Sequence, residues 1–98
     1  MKRVRKLLPV SLRRLIIQHR TRVKDLYFLV GTKAVMVRNR HTGEYLGNVY
    51  YNGTEFYFSR QLLHYRDSLG YPDFLKFQNL VLRPLEECLV LGGFLIFC

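Results

Sequence analysis

The sequence predicts an α+β domain with a mainly antiparallel sheet, and three features carry that prediction. Apolar residues recur at helical spacing over residues 8–23, β-branched and aromatic runs alternate with turn residues over 25–58, and Ser59 opens a second helical segment. The predicted order is an N-terminal amphipathic basic helix, an antiparallel β-meander, a second short helix and an apolar C-terminal strand or hairpin. Residues 1–7 read as a basic flexible arm and residues 8–98 as one small domain. A chain of 98 residues that is 49% apolar and 23% charged excludes a multidomain enzyme, a collagen-like array, a disulfide mini-protein and a wholly disordered chain.

The first helix rests on Leu8, Leu12, Leu15, Ile16, His19 and Val23, which line one side at spacings of three and four. Pro9 suits a first turn and Ser11 can cap a later start, so the helix is expected over about residues 9–22. Arg13, Arg20 and Lys24 then form a separate stripe roughly a quarter-turn away.

Strands are expected at residues 26–30, 34–38, 45–51 and 54–58, broken at 31–32, 40–43 and 52–53. The Asn52-Gly53 pair predicts a two-residue type I′ turn, because both central positions of that turn need positive φ. Such a turn sets Tyr51 opposite Thr54, Val49 opposite Phe56 and Gly47 opposite Phe58 on the core side. Tyr50, Glu55, Asn48 and Tyr57 fall on the wetter side, with Glu55 opposite Tyr50. In the preceding hairpin, a loop of three or five residues around His41-Thr42-Gly43 keeps Val35 and Val37 on the core side, whereas four residues would turn both valines outward.

Ser59 is placed to cap a helix over residues 60–69, with Leu62, Tyr65 or Arg66, and Leu69 on one side and Gly70 and Pro72 closing it. Beyond it, residues 74–82 read as a strand and residues 88–97 as an apolar hairpin about Gly92-Gly93. The alternative for this end is a short helix over 84–91, with Pro84, Glu86 and Glu87 in its first turn. Either form is too apolar to be left in water, so it is expected in the core, against another subunit or protein, or on a membrane. The order helix, strands, helix is loosely similar to that of double-stranded-RNA-binding domains. The lysine-rich opening of that family's last helix is replaced here by Ser59-Arg60-Gln61-Leu62-Leu63-His64, and no family is assigned.

Charge is segregated along the chain. Residues 1–24 carry nine basic side chains and no acidic one, while seven basic and seven acidic residues cancel in the remainder, so the net +9 lies entirely before Asp25. The nine are Lys2, Arg3, Arg5, Lys6, Arg13, Arg14, Arg20, Arg22 and Lys24. Their concentration points to a polyanionic partner, nucleic acid through its phosphate backbone or an anionic membrane surface. The leading expectation is a small non-enzymatic binding protein whose basic arm and first helix contact RNA or DNA. Tyrosines on the wetter sheet side can stack on bases, but a Glu55 facing Tyr50 would repel phosphates, which puts the contacts on the arm and helix. The alternatives are a protein-interaction or membrane-peripheral accessory factor, of the kind compact viral genomes encode, acting through residues 88–98, and an organelle-targeting presequence at residues 1–24.

Catalytic constellations are missing from the pattern. Cys88 and Cys98 lie ten apart with no histidine after His64, which does not match metal-ligand spacing, and both are expected as reduced thiols. Ser59, His64 and Asp67 are near in sequence, but Ser59 is taken as a cap. Glu86 and Glu87 diverge as neighbours, and the glycines fit neither phosphate-cradling motif. No cofactor, metal or small-molecule substrate is expected. Asn52-Gly53-Thr54 matches a glycosylation acceptor only formally, at a tight turn. The longest charge-free apolar run, residues 88–98, is shorter than the roughly 20 residues a membrane span needs. The chain is therefore expected to be intracellular, soluble or membrane-peripheral.

Overall fold

The computed structural model describes residues 5–19 and 23–93. Helix α1 (Val10–His19) is followed by strands β1 (Leu26–Val30), β2 (Ala34–Asn39), β3 (Tyr45–Tyr51) and β4 (Phe56–Phe58), then helices α2 (Arg60–Ser68) and α3 (Asp73–Leu91). The strands form one antiparallel sheet in the order β1-β2-β3-β4. Inward residues of the sheet, among them Phe28, Val35, Val37, Val49 and Phe58, share a single core with Leu12 and Ile16 of α1, Leu62 of α2, and Phe77, Val81, Leu85 and Leu89 of α3. All three helices therefore cover one face, and no described element covers the other.

Helix α1 is expected over 9–22; its described part ends at His19, and residues 20–22 lie outside the described residues. The three residues described from the expected arm are joined to the sheet end rather than isolated from it. The Lys6 amide donates to the Tyr51 carbonyl at 2.7 Å, and just beyond the arm the Leu8 amide donates to Thr32 at 2.8 Å.

The Asn52-Gly53 turn differs from expectation. Tyr51 pairs with Phe56 and Tyr50 with Tyr57, so the register is displaced by two residues and the turn centres on Gly53-Thr54. Asn52 is drawn out of the central position by its own side chain, whose Oδ1 accepts from the Thr54 amide at 2.9 Å, the Glu55 amide at 2.9 Å and the Thr54 hydroxyl at 3.0 Å. A two-residue slip preserves side-chain parity, so Tyr51, Val49, Phe56 and Phe58 keep the core face. Glu55 leaves its expected place across from Tyr50, and Tyr57 takes it.

Val35 and Val37 do face the core, with five residues between the ends of β2 and β3. Next to the loop, Asn39 bonds Glu44, a pairing that by itself would turn the valines outward. A bulge between Val37 and Arg38 restores the parity, leaving Leu46 and Gly47 consecutively buried on β3.

Ser59 caps α2, its hydroxyl accepting from the Leu62 amide at 3.2 Å. The same oxygen accepts from the Asn48 amide at 3.1 Å, tying the helix start to β3. Ser59→Ala is expected to cost about 1–2 kcal/mol, since it loses a cap and leaves a strand N–H without its partner. Urea unfolding of the variant measures that cost directly.

The C-terminal strand and hairpin are overturned. Residues 74–82 and 88–91 belong to α3, a single helix of 19 residues, and the expected short helix over 84–91 is its second half. Phe77, Val81, Leu85, Cys88 and Leu89 are its buried residues, a spacing of three and four that β-propensity in the same segment masked. Pro84 donates no hydrogen bond to the Leu80 carbonyl but does not end the helix, because packing against α1 and the sheet holds both halves. Gly92 caps α3, and the expected hairpin's second strand, residues 94–97, lies outside the described residues.

Candidate functional site

Antiparallel register aligns the outward side chains of the uncovered face in three rows. Tyr27, Arg38 and Tyr45 form the first, Leu29, Met36 and Asn48 the second, and Ala34, Tyr50 and Tyr57 the third. All are half-buried, and none of these outward positions is acidic. Four tyrosines and an arginine on an uncovered sheet make a platform with stacking surfaces and positive charge.

The rings are held in place. The Tyr45 hydroxyl donates to Asn48 Oδ1 at 2.6 Å, and Asn48 Nδ2 makes a longer contact of 3.4 Å to the Tyr50 hydroxyl. Tyr50 and Tyr57 lie across β3 and β4 with ring centroids 5.7 Å apart and tilted by 49°. Arg38 donates from Nη1 to the Gly43 carbonyl at 2.9 Å, and its guanidinium sits 5.7 Å from the Tyr45 ring centroid. Its Nε is buried without a hydrogen-bond partner. Burial pushes the Tyr45 phenol above its ordinary value, with Tyr50 adding and Arg38 opposing, so this hydroxyl stays protonated at neutral pH.

Five of the nine basic residues singled out by charge are described. Arg5 reaches the platform, with its Cζ 4.0 Å from the Tyr50 ring centroid, a close cation–π contact. Lys6 is exposed beside it in sequence. Arg13 turns back on its own helix start, with Nε donating to the Leu8 carbonyl at 3.2 Å, while Arg14 is exposed on α1 across the molecule from the platform. Lys24 is exposed ahead of β1. None of these five makes an ion pair with a carboxylate among the described residues. Lys2, Arg3, Arg20 and Arg22 lie outside the described residues, so the stripe of Arg13, Arg20 and Lys24 is described only at its ends.

Charge alone missed Tyr27, Arg38 and Tyr45. Tyr27 and Arg38 were accessible from strand alternation; Tyr45 was not, because the bulge hands its core position to Leu46.

Other candidate chemistry is occupied or dispersed. Ser59 serves as a cap, and Asp67 accepts from Arg66 at 2.9 Å. Burial pushes the Cys88 thiol up to about 11, which leaves it unreactive at neutral pH. The His41 hydrogen bond at 2.8 Å lowers the Asp25 carboxyl and joins the start of β1 to the β2–β3 loop. Among the described residues no group of three or more His, Cys, Asp or Glu side chains is arranged to hold a metal, and no helix is long and apolar enough to cross a membrane.

No protein-family model matches the chain, and no curated protein or solved structure matches it.

Proposed function

We propose that this protein binds single-stranded nucleic acid, stacking bases on the tyrosine platform and meeting backbone phosphates with its basic N-terminal segment. The carrying observation is the juxtaposition of Arg5 with Tyr50 on a sheet face whose outward strand positions hold four tyrosines and no carboxylate. Aromatic rings accept any base, and neighbouring cations supply affinity without sequence preference. In this reading Arg5 and Lys6, with Lys2 and Arg3 ahead of them in sequence, contact phosphates. A duplex buries its base faces in its own stack and gives the platform little to hold.

The test is fluorescence anisotropy of full-length protein with single-stranded RNA, single-stranded DNA and duplex over a salt series. Single strands are expected to bind more tightly than duplex, with log K falling by about 0.7 per log salt for each phosphate contacted. Equal affinity for duplex would remove the stacking role, and affinity independent of salt would remove the phosphate role.

One observation favours a second reading, association through the C-terminal apolar segment: Val90 and Leu91 are 59% and 63% exposed at the end of α3. Cys88 and Leu89 belong to the core, so the informative truncated protein ends at Gly93 and also carries Val90→Ser and Leu91→Ser. In liposome flotation, a peripheral membrane role predicts that full-length protein floats with anionic vesicles and the truncated protein does not. Equal flotation of both would remove that role from the segment.

A further inference from the structure

The groove beside β4 extends the platform, and the inference drawn from it rests on the reading that the platform takes a nucleic-acid strand. β4 has three residues and lies at the sheet edge. It opens onto a groove of about 1010 Å³ walled by α2 and α3, and Arg5, Tyr50 and Tyr57 line this groove as well as the platform. The two surfaces are continuous.

Two arginines stand on the α2 wall. Arg66 is engaged, donating to Gln78 Oε1 at 2.6 Å and to Asp67 Oδ1 at 2.9 Å. Arg60 is exposed, makes no hydrogen bond or ion pair among the described residues, and opens α2 directly after Ser59. Glu55 and Glu86 line both this groove and an adjoining apolar one, so they mark the boundary between the two. A phosphate backbone is thus attracted by Arg5 and Arg60 beside Tyr57 and repelled at the Glu55–Glu86 boundary.

We propose that the ligand is an extended single strand that crosses the platform, passes over β4 and enters this groove, where Arg60 contacts a phosphate beyond the stacked bases. Binding then requires length, because a short oligonucleotide satisfies the platform without reaching Arg60.

The experiment compares oligouridylates of about 4 and about 12 nucleotides, lengths that span the usual range of single-strand site sizes, on full-length protein, Arg60→Gln, Arg60→Lys and Tyr50→Ala. Arg60→Gln is expected to weaken the longer strand about 3- to 10-fold and to lower its salt slope by about 0.7, leaving the shorter strand unchanged. Arg60→Lys is expected to restore most of that loss, and Tyr50→Ala to weaken both lengths. An Arg60→Gln protein that binds the longer strand with parental affinity and slope, while Tyr50→Ala remains defective, overturns the path but leaves the platform. Equal losses on both lengths for Arg60→Gln also overturn the path, by putting Arg60 at the platform itself. If Tyr50→Ala affects neither length, the platform and the path fall together.

Discussion

Tyr50→Ala is expected to weaken single-strand binding by about 1–3 kcal/mol, roughly 5- to 150-fold, while the protein stays folded. Tyr50 stands where the features of the platform converge. It faces Tyr57 across the ladder, carries the Arg5 guanidinium on its ring and receives the longer contact from Asn48. Truncation removes a stacking surface and also the perch that keeps Arg5 over the sheet. The ring points away from the core, so stability should change little. Tyr50→Phe separates the components: it keeps the π-face and loses only the Asn48 contact, so binding within about twofold of the parent is expected if stacking dominates. The chain has no tryptophan, so its tyrosine emission can be followed directly as a strand is added. Parental affinity in Tyr50→Ala would show that the face is not where bases lie.

The sheet was legible where side-chain parity alone decides the outcome. Residues 26–30 and 45–51 match β1 and β3 because β-branched and aromatic runs sit between clear turn residues. The inward set around Val49 and Phe58 survived a mistaken turn because the error was an even number of residues. The same two residues change what faces Tyr50: the expected turn sets Glu55 across from it, whereas the observed register sets Tyr57 there and leaves Glu55 at the groove beside β4. What misled was the choice Asn52 has between a central turn position and an Asx cap, which local sequence leaves open. Helix α3 was hidden for another reason. Its Phe, Val and Leu content suits either element, Pro84 suggests a break, and the burial against α1 and β4 that decides the matter is a tertiary property. The charge asymmetry is plain in the sequence, but it does not reveal that Arg13 turns back on its own helix start or that Arg5 reaches Tyr50 on β3, with α1, β1 and β2 between them in the chain.

Gly47→Ala is expected to destabilise the fold by about 2–6 kcal/mol, a large share of the roughly 5–15 kcal/mol that holds a domain together. Gly47 has φ +149°, a conformation that L side chains rarely adopt. An added Cβ would also stand 2.7 Å from both the Leu62 Cβ and the Leu62 backbone nitrogen. Those atoms are not the ends of flexible chains. Leu62 is fully buried, and its amide is the one that Ser59 caps, so relief requires α2 to lift from β3 as a unit. The bulge explains why the contact exists: it delivers Leu46 and Gly47 to the core side together, and only a residue without a side chain fits beneath the first turn of α2. Lifting α2 would also break the Asn48–Ser59 bond and slacken the strand that carries Tyr45, Asn48 and Tyr50. Urea unfolding should therefore give a lowered midpoint for Gly47→Ala, and single-strand affinity should fall with it even though no platform residue has changed. Gly43→Ala is the matched control: it also has positive φ, but its added methyl meets nothing within 4 Å, so its cost should be confined to backbone strain. Equal destabilisation by the two substitutions would mean that strain alone accounts for the loss and that close packing of α2 on β3 contributes nothing.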